Sequence, residues 1–222
     1  MKQRRIKAAI DKLSRPRGRP RAVSEETRRD QIIESAFEVF LELGYAGTTT
    51  DIVAARCGIS KRTLYEVFSS KTGLFQAVIV AHRRTMLDLP CDHDDRPFAD
   101  ALASIFWIDI EPKLERRRSA FIQLVMTEIR QFPEIGDMLR RDGVEESRRL
   151  LADWLALESD RGAIVSDDVQ SDAGILMDMI FGGLAIRPGG SPKRLDRNQR
   201  RNYIRRCIDV FLNGVSPRSR DE

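Results

Sequence analysis

The chain has 222 residues, 41% of them apolar, enough to bury a sizeable core in one or two domains. Its net charge of +4 is unevenly placed: residues 1–21 hold nine Lys or Arg against the single Asp11, which leaves the remainder at −4. A basic block before a mildly acidic body points to a polyanion met from the N-terminal side. The positive start has no apolar h-region behind it, and no apolar run of about 18 residues occurs anywhere, which argues against a secretory leader and a membrane span.

Residues 1–23 are expected to form a basic, flexible arm. Within it Arg17-Gly18-Arg19-Pro20 resembles the core of an AT-hook. Gly18 lets the backbone approach the groove floor, Pro16 and Pro20 keep the peptide extended, and Arg17 and Arg19 suit the negative potential of a narrow minor groove. A tail attracted only by phosphate charge is the equal alternative.

Ser24 is placed to cap a first helix in which Ile32, Ile33, Ala36, Phe37, Phe40 and Leu43 follow the helical rhythm, and Gly44 ends it. Between Gly44 and Lys71 two short helical patterns meet at Cys57-Gly58-Ile59-Ser60. A helix-turn-helix needs a small residue where its helices touch, a permissive residue in the turn and an apolar anchor in the second helix; Ala54, Gly58 and Leu64 supply them. Gly58 suits the left-handed conformation that closes a helix. Ser60 then caps the next one through the amide of Arg62 or Thr63. Leu64, Val67 and Phe68 share one face, which turns Lys61, Arg62, Thr63, Tyr65 and Glu66 toward DNA.

Ser70 begins a fourth helix through Leu74, Phe75, Val78 and Ile79, expected to reach about Leu89 and stop at Pro90. It joins the reader to the rest and so is the natural lever between them. The polar linker from Pro90 to Pro97 holds Cys91 and His93 without the repeated spacing of a zinc motif, so a solvated hinge is expected and no metal. Cys57, Cys91 and Cys207 form an odd, scattered set, as free thiols of a reducing cytoplasm would.

From Phe98 onward helical stretches alternate with breakers at Pro112, Pro133, Gly162 and Pro188-Gly189-Gly190, and no useful period-2 pattern appears, so the class is all-α. Ala173, Leu176, Met177, Ile180, Phe181 and Leu184 make an apolar stripe, with Gly182 and Gly183 allowing close approach of another backbone. Asp196 and Gln199 form a capping-box pattern before a last helix carrying Ile204, Ile208, Phe211 and Leu212. The expected organisation is an arm at 1–23, a three-helix DNA-binding domain at 24–71, a helical effector-binding and dimerisation domain at 72–214, and a tail at 215–222. Histidines number only two, His82 and His93, and no GxSxG, HExxH or P-loop is present, so no enzyme and no cofactor are expected.

The segment from Thr27 to Leu74 resembles the N-terminal domain of the TetR family of bacterial transcription regulators. Ala36, Phe40, Gly44, Thr48-Thr49, Gly58-Ile59-Ser60, Thr63-Leu64-Tyr65, Phe68, Ser70-Lys71 and Leu74 match, whereas Thr50 and Ile52 depart from the family's pattern at the start of the second helix. The resemblance implies base-edge or phosphate contacts by Lys61, Arg62 and Thr63 and phosphate contacts by Tyr65 and Lys71. Thr49, Ser60, Arg17 and Arg19 complete the expected DNA-binding set.

Farther on, Glu128-x-x-x-Phe132-Pro133-Glu134, Met138, Gly143, Leu150, Leu151, Trp154 and Leu155 resemble the C-terminal domain of AefR-like members, through about Gly214. That resemblance implies a small-molecule cavity walled by Trp107, Phe121, Leu124, Val125, Trp154, Met177 and Phe181, although solid core is the commoner meaning of such stripes. Glu128 is expected either to pair with an arginine or to serve as a polar handle in the pocket. The resemblance also implies a four-helix homodimer interface, with Phe181, Gly182, Ile204, Ile208 and Phe211 in it, against the alternative of an ordinary intrachain face. Two readers would then meet two half-sites of a palindromic operator about 34 Å apart. The functional expectation is a cytoplasmic, homodimeric, sequence-specific repressor released from double-stranded operator DNA by a small-molecule effector, with no membrane partner. The alternative is a constitutive or architectural DNA-binding protein without an effector.

Overall fold

The computed structural model describes residues 24–90, 96–184 and 195–215. Among them every regular element is helical, in keeping with the all-α expectation. In chain order these are α1 (Glu25–Gly47), α2 (Thr50–Cys57), α3 (Lys61–Val67), α4 (Lys71–Met86), α5 (Phe98–Ile105), α6 (Pro112–Glu128), α7 (Pro133–Met138), α8 (Glu146–Asp160), α9 (Val169–Leu184) and α10 (Arg197–Val215). A π-helical turn over Leu139–Glu145 joins α7 to α8. The RGRP motif with Arg17 and Arg19, the Cys91–His93 segment and the expected C-terminal tail from 216 lie outside the described residues. No described helix is long and apolar enough to cross a membrane.

Hydroxyl side chains start the first four helices. The oxygens of Ser24, Thr49, Ser60 and Ser70 accept from the amides of Thr27, Ile52, Thr63 and Gly73 at 3.0–3.3 Å, satisfying amides that lack an intrahelical partner. Thr49 therefore fixes the start of α2 despite the departures at Thr50 and Ile52. Gly58 closes α2 in the left-handed region at φ 65, ψ 30. Gly44, at φ 71 and ψ 176, interrupts α1 in a region open essentially to glycine alone. The chain turns there and buries Tyr45.

Two apolar clusters hold the molecule together. One contains the reader's core, with Phe40, Leu64 and Phe68, and continues without a break through Leu74, Phe75 and Val78 of α4 to Phe121 and Val125 of α6 and Ile135 and Met138 of α7. The expected domain boundary at residue 71 thus falls inside one buried cluster. The other joins α5, α8, α9 and α10 around Leu102, Phe106, Leu151 and Ile180.

The fourth helix is shorter than expected, ending at Met86 rather than near Leu89. Residues 87–89 are extended, so Leu87 and Leu89 both point into the second cluster while Asp88 bonds the Ile105 carbonyl through its amide at 2.9 Å. Alternation, not helical periodicity, puts these two leucines inside. The capping box before α10 forms as expected, with reciprocal Asp196 and Gln199 bonds of 2.8 and 3.1 Å. Arg200, buried in the first turn of α10, donates to the carbonyls of Phe106, Trp107 and Ile108 just beyond α5. Carbonyls at a helix end have spare acceptor capacity, and a guanidinium can fill several at once, adding here to the bond that the Trp107 carbonyl already accepts from Ile110.

Candidate nucleic-acid interface and effector cavity

The short helix α3 presents the surface expected of a reader. Leu64 is fully buried, Thr63 and Val67 are half-buried, and Lys61, Arg62, Tyr65 and Glu66 are exposed. Lys61 pairs with Asp51 at 2.8 Å, and a side-chain hydrogen bond to that carboxylate, then its charge, raises the lysine's pKa. Arg62 is 90% exposed and pairs along the helix with Glu66 at 3.1 Å. Such exposed pairs are worth little. They hold the cations near the surface and are readily exchanged for phosphate. The Tyr65 hydroxyl shares a 3.1 Å bond with Thr50, while the Thr49 and Ser60 hydroxyls are occupied as helix caps.

Lys71, expected to hold a phosphate, is also engaged within the chain. Its ammonium donates to the Tyr45 carbonyl at 2.9 Å and lies 4.3 Å from the centre of that residue's ring. The same peptide is held from the other side, because Glu128 at the end of α6 accepts from the Tyr45 amide at 3.0 Å. The Tyr45 hydroxyl shares a 3.1 Å bond with Thr72, and its ring meets Phe132 edge-on at 5.0 Å. Glu128 is therefore neither an arginine's partner nor a pocket handle. It ties the bend in α1 to α6.

A cavity of about 180 Å³ lies between α4, α6, the π-turn, α8 and α9. Four of the expected wall residues line it: Phe121, Val125, Met177 and Phe181. The other four do not. Trp154 stacks on Phe98 at 5.2 Å inside the second cluster, and Leu124 packs against the first. Trp107 follows α5 with its carbonyl bound to Arg200, and Glu128 holds Tyr45. Sequence reasoning missed the wall supplied by α4, namely Ile79, His82, Arg83 and Met86. The signal was present, since Ile79, His82 and Met86 recur at helical spacing, but that stripe reads equally as core.

His82 is the unusual member of the wall. Its ring centre is 4.2 Å from that of Phe121, and its Nε2 has no hydrogen-bond partner. Burial, then the charges of Arg118 and Arg117, lower its pKa to about 3, so the imidazole is neutral at ordinary pH. Arg118, itself buried, keeps its charge although burial and Arg200 lower its pKa to about 10.

A pH dependence follows. The unfolded chain binds a proton at His82 below about pH 6.5 and the folded one only near 3, so stability present above about pH 6.5 is lost as the pH falls through that window. The slope from this one group approaches about 1.4 kcal/mol per pH unit. Urea unfolding of His82→Phe should show a flatter dependence between about pH 6.5 and 5, above the range of ordinary carboxylates. An unchanged slope would assign it to other groups.

The last two helices correct the expected dimer contacts. Ile204, Ile208 and Phe211 are buried within the single chain, in the cluster that joins α10 to α5 and α9. They face inward because Tyr203 and Cys207, donating to the Met179 carbonyl, hold that side of α10 against α9. Phe181 is half-buried against Phe106 and the cavity, and Gly182 is exposed. Among the described residues, the large apolar side chains left outside on these helices are Ile175, 54% exposed, and Val210, 45% exposed.

Residues 32–78 match the model of bacterial regulatory proteins of the tetR family, and residues 102–214 match that of the AefR-like transcriptional repressor C-terminal domain. The chain is 23% identical over 193 residues to the HTH-type transcriptional regulator YvkB of Bacillus subtilis, covering 84% of this chain and 96% of that one. Over 71 residues it is 41% identical to the HTH-type transcriptional activator FasR of Mycolicibacterium smegmatis, about a third of each chain. The solved structure of the flavonoid-responsive regulator FrrA superposes with a TM-score of 0.58 at 25% identity, covering 87% of this chain and all of that one. With a helix-turn-helix reader built on a helical C-terminal body, the chain belongs to the TetR family of DNA-binding transcriptional regulators.

Proposed function

We propose that the protein is a homodimeric, sequence-specific repressor that leaves its operator when a small molecule fills the cavity among α4, α6, α8 and α9. One observation carries this reading: α4 begins four residues after α3 ends and, two to four turns later, supplies Ile79, His82, Arg83 and Met86 to the cavity wall. A ligand that displaces this wall moves the helix on which the reader is mounted, and a ligand acts only through such a difference between states. The response of FrrA to flavonoids and the match to an AefR-like repressor domain support a small-molecule effector and a repressive sign.

The proposed DNA face is Lys61, Arg62, Thr63 and Tyr65, with Thr49 and Ser60 positioning α2 and α3 and Arg17 and Arg19 reaching from the arm. Lys71 contributes by holding the Tyr45 turn. The proposed dimer face is the outer side of α9 and α10, with Ile175, Gly182 and Val210.

The test is protection, by the purified protein, of a palindrome upstream of its own gene. Arg62→Ala should weaken operator binding about 5- to 100-fold with little change in melting temperature, since its side chain is 90% exposed and its pair with Glu66 lies at the surface. Operator affinity that survives this substitution removes Arg62 from the face. A protein that occupies the palindrome whatever small molecules are added would instead be a constitutive DNA binder.

A further inference from the structure

We propose that the cavity takes a small aromatic compound carrying a hydroxyl group, its ring seated against Phe121, Met177 and Phe181 and its hydroxyl bonded to Nε2 of His82. The proposal rests on reading this cavity as the effector site. Its size is the first constraint. At about 180 Å³ it is a little larger than an apolar cavity of about 150 Å³ known to hold benzene, so one substituted ring fits.

The walls supply the second constraint. Ile79, Ile122, Val125 and Leu139 join Phe121, Phe181 and Met177 in a surface that is apolar apart from a few groups. Two phenyl rings and a thioether favour a flat π-system over an aliphatic body of equal size.

The third constraint is the polar inventory. Arg83 and Arg148 line the cavity and are paired, with Glu146 at 3.3 Å and Asp178 at 2.7 Å, although the Nε of Arg148 is, like the Nε2 of His82, buried without a partner. His82 Nε2 has no partner, and a buried polar atom without one is a standing cost that a ligand can remove. The imidazole is neutral, so Nε2 is a donor in one tautomer and an acceptor in the other; a hydroxyl both donates and accepts and satisfies either. A carboxylate only accepts, so it satisfies only one tautomer of His82, and the attraction of Arg83 and Arg148 is already taken up by Glu146 and Asp178. An ammonium only donates, and burying its charge among these walls is costly, with the charges of Arg118 and Arg117 against it at His82.

Phenol, benzene, benzoate and benzylamine, titrated separately into the full chain, test this by ligand-detected NMR, with operator occupancy followed in parallel by fluorescence anisotropy. Phenol should bind about 5- to 10-fold more tightly than benzene, the gain from one neutral hydrogen bond to a buried group, and the two charged probes more weakly than either. In His82→Phe the phenol and benzene affinities should converge while benzene still binds. Equal binding of phenol and benzene by the unaltered chain, preference for benzoate or benzylamine, or no binding of any probe would each overturn the proposal, whether or not the variant folds. Hydroxyl-selective binding that leaves the operator fully occupied would uphold the ligand class and overturn the effector reading on which it was built.

Discussion

Replacing Ile175 and Val210 together by glutamate is expected to give a folded monomer that binds its operator at least about 100-fold more weakly than the unaltered chain. Both side chains are about half exposed in the isolated chain, so the new charges remain solvated and the fold is retained. At a dimer interface the same charges would be desolvated and would face their symmetry mates, each carboxylate costing several kcal/mol there. A monomer engages one half-site, and the coupling of two sites on one rigid body is lost. Sedimentation equilibrium and operator titration at fixed salt read the two effects separately. Retained dimer mass would locate the interface on another face. The contrasting experiment uses Ile208→Glu, which places a charge in the cluster shared by α5, α9 and α10 and should unfold that part of the chain instead of dissociating it.

That contrast shows what the sequence could and could not say about α9 and α10. The stripe of Ile204, Ile208 and Phe211 announces a buried face, and it is buried. Periodicity does not name the element that covers it, and here the cover is the chain's own α5 and α9. Local signals fared better because their partners lie three or four residues away. The caps at Ser24, Ser60 and Ser70, the left-handed Gly58 and the Asp196–Gln199 box all depend on neighbours in sequence, and all form. Glu128 depends on a backbone amide 83 residues away, which no side-chain pattern records. The cavity falls between these cases. Its four foreseen residues come from apolar stripes of α6 and α9, whereas the stripe of Ile79, His82 and Met86 on α4 reads equally as core. The π-turn over Leu139–Glu145 had no signal in spacing at all.

The bend at Gly44 provides the second large effect. Gly44→Ala is expected to destabilise the protein by about 1–3 kcal/mol from backbone strain alone, because φ 71 with ψ 176 is a conformation that side chains beyond hydrogen do not tolerate. A Cβ built there would also lie 2.6 Å from Oε1 of Glu128. The carboxylate is the free end of a flexible side chain and can retreat, but in retreating it gives up its bond to the Tyr45 amide. Losing a hydrogen bond to a charged group adds about 1.5–3 kcal/mol. Glu128→Ala removes the same bond without strain. The two substitutions therefore share one loss, and in a double-mutant cycle the pair should cost less than the sum of the singles by about the value of that bond. Urea unfolding of the two singles and the double measures it. Additive costs, within about 0.5 kcal/mol, would mean that Glu128 does not secure the turn. The same variants bear on signalling, because Phe121 and Val125 of α6 wall the cavity about two turns and one turn before Glu128. If α6 carries the ligand's effect to the reader through this carboxylate, Glu128→Ala should still bind operator yet release it only at several-fold higher ligand concentration. Unchanged release would mean that this carboxylate does not carry the ligand's effect to the reader.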